Sequence, residues 1–97
     1  MRLAARVDAN QSAIVKALRQ VGAKVQPTHT IGKGMPDLLV AFRGNWFLLE
    51  VKDGLKPPSQ QSLTDDESRW HDEFGQQAPV FVCNSEESAL RIIGAIS

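Results

Sequence analysis

The chain has 97 residues, 42% of them hydrophobic and 23% charged; this suits one small domain over residues 1–97 with a modest core and excludes a disordered chain. No apolar run approaches the length needed to cross a bilayer, the start MRLAARVDANQ lacks the apolar stretch of a secretory signal, and the lone Cys83 excludes an internal disulfide or a cysteine zinc cluster, so a cytoplasmic protein without a membrane partner is expected. The net charge of zero hides a division: residues 1–56 hold nine Lys/Arg against four Asp/Glu, or +5, and residues 57–97 hold two against seven, or −5, a modest pointer to a polyanionic partner of the first half.

In chain order, Ile14, Leu18 and Val21 recur at helical spacing with Ala13 and Ala17 beside them, which predicts a helix over residues 8–21 stopped by Gly22. AKVQPT is a short strand weakened by Pro27, and HTIGKG (29–34) is a loop. Two apolar runs follow within GMPDLLVAFRGNWFLLEVKDG (34–54), joined through Arg43-Gly44-Asn45, which predicts a β-hairpin. DGLKPPSQQS is a loop. Thr64 and Glu67 then match a capping box that opens a helix running to about Phe74. APVFVC reads as a strand with Cys83 as a small core residue, and Ser85 caps a last helix with Ala89, Ile92, Ile93 and Ile96 on one face. The order α-β-β-β-α-β-α predicts an α/β fold, one sheet with helices on both faces.

The hairpin carries charge where a packed strand should not. Glu50 and Lys52 share a strand face because they are two apart. If Gly44-Asn45 forms the turn, Asp37 faces Lys52; if Arg43-Gly44 forms it, Asp37 faces Glu50. Either two-residue turn gathers Asp37, Glu50 and Lys52 on one face at one end, whereas a three-residue loop would separate them. One hairpin face then carries Leu38, Val40, Phe42, Phe47, Leu49 and Val51, the other Leu39, Ala41, Trp46 and Leu48; both are apolar, so both are expected to be covered. Two carboxylates held close at a core rim repel one another, and one lysine offsets only part of this. A divalent cation resolves the conflict: Mg²⁺ takes one or two carboxylates and keeps several waters, with the carbonyl of Val51 placed as a further oxygen. Such a metal can hold a scissile phosphate and acidify a water, and Lys52 can stabilise the developing charge. A Glu-x-Lys alone arises by chance in roughly one chain of this size in three, and Pro-Asp is ordinary turn chemistry; the two together on adjacent strands are far more specific.

Pro36-Asp37 followed by Glu50-Val51-Lys52 resembles the PD-(D/E)XK nuclease superfamily, and the chain from about residue 8 to 93 is most similar to its small VRR-NUC branch, which includes stand-alone phage and bacterial members. The resemblance implies a restriction-endonuclease-like core and a metal-dependent endonuclease that cleaves DNA, often at Holliday junctions, flaps or other branches. It implies Mg²⁺ or Mn²⁺ bound by Asp37, Glu50 and the Val51 carbonyl, a catalytic Lys52, and a homodimer in a bacterial or phage-infected cell. Asp8 and Gln11 match a metal-facing acid and glutamine of the family's first helix; the same Asp-x-x-Gln spacing is also a capping box. Where the family often has Gln-x-x-Trp, this chain has Glu67-Ser68-Arg69-Trp70, so Glu67 is read as a cap and Trp70 as core. His29, Lys33 and Gly34 in the glycine loop, with Gln11, Arg43 and Lys56, are the candidate nucleic-acid contacts. Lys33 leads, with Asp65, Asp66, Glu86 and Glu87 expected to stay away from the DNA. His71 reads as a solvated helix residue. The alternative function is a non-catalytic nucleic-acid-binding module on the same fold.

Overall fold

A computed structural model describes residues 9–97; Asp8, with Arg2 and Arg6, lies outside the described residues. Helix α1 spans Ala9–Gln20, followed by strands β1 (Lys24–Pro27), β2 (Leu38–Phe42) and β3 (Asn45–Val51), helix α2 (Asp65–Phe74), strand β4 (Phe81–Cys83) and helix α3 (Glu86–Ile92). Single 3₁₀ turns at His29–Ile31 and Pro58–Gln60 punctuate the loops. The order is the expected one. The last strand is shorter than APVFVC, and α3 stops before Ile96, which is exposed.

The strands form one sheet in the order β1-β2-β3-β4, antiparallel across the first three and parallel between β3 and β4. A parallel neighbour needs a crossover, and α2 supplies it. One sheet face is the core: Leu38, Val40, Phe42, Leu49, Val51 and Cys83 pack with Ile14 and Leu18 of α1, with Ala89 of α3 and with Ile93 just past its end. Ile14 and Leu18 are thus spent on this face, whereas Val21, expected beside them, lies past the end of α1 and is exposed. The helix end is closed by bonds from Gly22 N–H to the Arg19 carbonyl and from Ala23 N–H to that of Leu18, the paired closure of a Schellman motif.

The other face departs from expectation. Trp46 is 72% exposed, and Leu39, Ala41 and Leu48 are half-buried. The reason lies in α2, which has no buried residue: it meets the sheet through Glu67 and His71, at the charged end only. The apolar half of that face is left uncovered by the described residues.

Candidate metal and nucleic-acid site

The turn decides the site. Phe42 pairs with Asn45, so Arg43 and Gly44 are the two loop residues. Their φ values of 50° and 85° are those of a type I′ turn, which needs positive φ at both central positions. Gly44 adopts it freely; Arg43 does so with its guanidinium 4.8 Å from the Phe42 ring centroid. From this register Leu38 faces Leu49, and one further step sets Asp37 beside Glu50 rather than Lys52.

Asp37 Oδ2 accepts a 2.8 Å hydrogen bond from Val51 N–H, which stitches the two strand ends together. Glu50 is 1% exposed, and its Oε1 has no hydrogen-bond partner among the described residues. Burial, reinforced by Asp37 and Glu67, pushes its carboxyl up to about 10. Lys52 Nζ lies 3.8 Å from Glu50 Oε2 but 2.7 Å from Glu67 Oε1. That same Glu67 oxygen accepts from Thr64 N–H at 2.9 Å while Thr64 Oγ1 accepts from Glu67 N–H, so the expected capping box is present. Glu67 titrates below its ordinary value: burial opposes this and is outweighed by the bonds from Lys52 and Thr64.

Two residues that sequence reasoning placed elsewhere join the cluster. Glu67 is a cap and also the partner of Lys52. His71 is not solvated: its side chain is 13% exposed, and its Nε2, 4.0 Å from Glu50 Oε1, has no hydrogen-bond partner among the described residues. Burial lowers its pKa and favours the neutral imidazole beside Glu50. The usable signal was spacing, since His71 sits one helical turn after Glu67 and shares its face. Trp70, expected in the core, is half-buried and stacked on Phe74 at 4.0 Å. Asn10 was also missed: its Nδ2 donates to the Lys52 carbonyl at 2.6 Å and ties α1 to the site. Cys83 is buried as expected, and burial with the Asp37 and Glu50 charges pushes its thiol up to about 12.

The candidate nucleic-acid residues divide. Gln11 and His29 meet at 3.4 Å. His29 follows Thr28, whose N–H donates to the Asp37 carbonyl at 2.8 Å and whose hydroxyl donates to that of Pro36 at 2.6 Å, so this pair flanks the acidic site. Lys33 is exposed at φ 57° in the loop before Asp37, yet it shares a hollow with Asp66, Arg69, Trp70 and Glu73. Asp66 is therefore near the leading candidate for a phosphate contact, not remote from it. Gly34 packs so closely on α2 that a Cβ there would overlap the Asp66 carbonyl oxygen. Lys56 is exposed in the loop after β3. Arg43 lies at the far end of the hairpin, roughly 20 Å from Asp37 at strand rise, and is not brought to the site.

The donors fit a hard divalent cation. They are oxygens, one is buried without a partner among the described residues, and Asp37, Glu50 and Glu67 meet there with Lys52 as the one ammonium. Among the described residues no three His, Cys, Asp or Glu side chains form a self-sufficient cage, and a two-carboxylate donor set is what a cation that keeps its own waters takes.

A mixed sheet flanked by helices, with Pro36-Asp37 at one strand end and Glu50-Val51-Lys52 on its neighbour, has the restriction-endonuclease-like architecture. No family model and no curated protein matches the sequence. Among solved structures the chain is similar to one described as a VRR_NUC domain, with 28% identity, coverage of 90% of this chain and 92% of that one, and a TM-score of 0.63. The chain is VRR-NUC-like in fold over nearly its whole length.

Proposed function

We propose that the protein is a metal-dependent nuclease that hydrolyses DNA phosphodiester bonds, selects branched or flapped DNA by structure rather than by sequence, and works as a homodimer. The observation that carries this reading is Glu50: a carboxyl sealed from solvent, with an orphaned oxygen, beside the carboxylate of Asp37. An acid so placed destabilises the fold unless something else uses it. The likeness to a VRR_NUC domain supports the same reading.

Asp37 and Glu50, with the Val51 carbonyl, would hold Mg²⁺ or Mn²⁺. When bound, such a cation supplies Lewis-acid stabilisation of a phosphate oxygen and a more acidic water. The Lys52 ammonium is held by Glu67 beside Glu50, where it can donate to a phosphate oxygen as charge develops or orient the attacking water. Glu67 keeps Lys52 from collapsing onto Glu50. Gln11, His29 and Lys33 line the approach and position the phosphate backbone without reading bases.

The test is incubation of the purified protein with labelled junction, flap, nicked and duplex DNA in Mg²⁺, Mn²⁺ or EDTA. Cleavage of branched DNA is expected with either metal and none with EDTA. Asp37→Asn and Glu50→Gln should abolish cutting while DNA binding persists, because affinity comes mainly from phosphate contacts elsewhere. Wild-type cutting by either variant would remove the metal-site assignment. Tight binding without any cutting would make the protein a nucleic-acid-binding module instead.

A further inference from the structure

A cleft of about 570 Å³ lies between one flank of α1 and the segment Pro27 to His29. Its size is that of a site for a small organic group. Positions 12, 16 and 20, and 15 and 19, recur one turn apart, so they form a continuous stripe beside the core-facing Ile14 and Leu18. Val15 and Pro27 give it an apolar floor, and Lys16, Arg19 and His29 stand around it. Among the described residues no carboxylate lines it, in a chain with as many acids as bases. Arg19 is anchored by a 3.1 Å bond from Nη2 to the Val25 carbonyl, which uses one of its five N–H donors.

Position gives the cleft a role. Its His29 end adjoins Thr28, which is bonded to the carbonyls of Pro36 and Asp37, so it begins beside the acidic site and leads away along α1. We propose that this cleft receives an unpaired nucleotide of the DNA strand next to the scissile phosphate. The sugar-base body would lie on Val15 and Pro27, the phosphates against Lys16 and Arg19, and the base edge against the Ser12 hydroxyl and Gln20 amide. Histidine and guanidinium planes are platforms on which unstacked bases rest, and apolar floor plus cationic rim is the chemistry of sites for single strands. A stacked duplex keeps its bases from entering such a cleft, so the cleft gives a physical basis for preferring flaps and branches. This inference rests on the nuclease reading for the place of the scissile phosphate.

The test is the affinity of fluorescent dT8 and of a blunt duplex, by anisotropy in EDTA, for the wild type and for Ser12→Trp. Ser12 is exposed on α1, so the indole would fill the cleft. Affinity for dT8 should fall at least tenfold and duplex affinity change less than twofold. Equal loss on both DNAs, or unchanged dT8 binding in a variant with wild-type circular dichroism, would overturn the proposal. Should the variant fail to fold, photocrosslinking the wild type to an oligonucleotide bearing 5-iodouracil decides. Adducts on residues 12–20 or His29 uphold the cleft, and adducts confined to the hairpin tip or α2 overturn it. Wild-type protein that binds dT8 through the cleft but cuts no DNA with either metal refutes the nuclease reading alone. Flap cutting with dT8 binding insensitive to Ser12→Trp refutes the cleft alone.

Discussion

Glu50 sets the protein's response to pH. With its carboxyl raised from the ordinary 4.5 to about 10, the folded state keeps a proton that the unfolded state releases above pH 4.5. Stability from this residue is therefore fullest in acid and declines as pH rises between those two values. Glu50→Gln, which needs no proton to be neutral, should raise the thermal midpoint of metal-free protein at pH 8 by about 5 °C or more, on the scale of 4–8 °C per kcal/mol for a domain of this size. It should also flatten the midpoint's fall between pH 5 and 9; a lowered midpoint would mean that the carboxylate is well satisfied. Adding Mg²⁺ should raise the wild-type midpoint at pH 8, since a cation that binds only the folded state stabilises it by about 2.7 kcal/mol at a hundred times its dissociation constant, and should leave Glu50→Gln unmoved. The Lys52 side chain is only 13% exposed and faces two acids. Its loss should lower stability by roughly 1–2 kcal/mol in chemical denaturation while also ending cleavage. Asp37, Glu50 and Lys52 were legible because strand alternation is local. His71 was not, because which face of α2 meets the sheet depends on how a crossover docks.

Among the elements, the hairpin shows why sequence left two registers open. Gly44 can serve as the first or second central residue, and each choice yields a tight turn; only pairing along the whole ladder separates them. Helix starts were readable from Thr64 and Ser85, whose side chains both make the expected caps. The ends of β4 and α3 were not, since fading apolar periodicity does not mark where a strand loses its partner. The docking of α2 has a tight point at Gly34, against the Asp66 carbonyl, at positive φ. Gly34→Ala adds both a collision and backbone strain, and should lower stability by about 2 kcal/mol or more in urea unfolding. Because Asp66 neighbours Glu67, cleavage should fall too. An unchanged unfolding midpoint would show that the loop yields without disturbing α2.

At the scale of the molecule, the +5 and −5 halves are not two separate surfaces, because folding sets Lys33 in the same hollow as Asp66 and Glu73. Sequence position could not show this, as the contact joins segments more than thirty residues apart. Lys33→Ala should weaken binding to all DNA sequences and lower the salt slope by about one phosphate contact. Asp66→Asn, at a residue expected from sequence to stay away from the DNA, should strengthen binding; salt titrations of both variants check this, and a weaker Asp66→Asn complex would place Lys33 off the DNA path. The proposed dimer follows from stoichiometry, since one domain carries one acidic site and cutting two strands takes two. Sedimentation at micromolar concentration should give twice the monomer mass, and an active monomer would rule it out.

One oxygen, Oε1 of Glu67, accepts from both the Thr64 amide and the Lys52 ammonium. The first turn of α2 and the tether of Lys52 therefore share one acceptor. On the proposed mechanism, a Lys52 that left Glu67 for a phosphate would leave the oxygen to the Thr64 amide alone, and that hydrogen bond should shorten. When the turn frays, Lys52 loses its tether. The backbone amide resonance of Thr64 is thus a built-in spectator of the lysine, readable in solution without labelling the lysine or supplying a cleavable substrate.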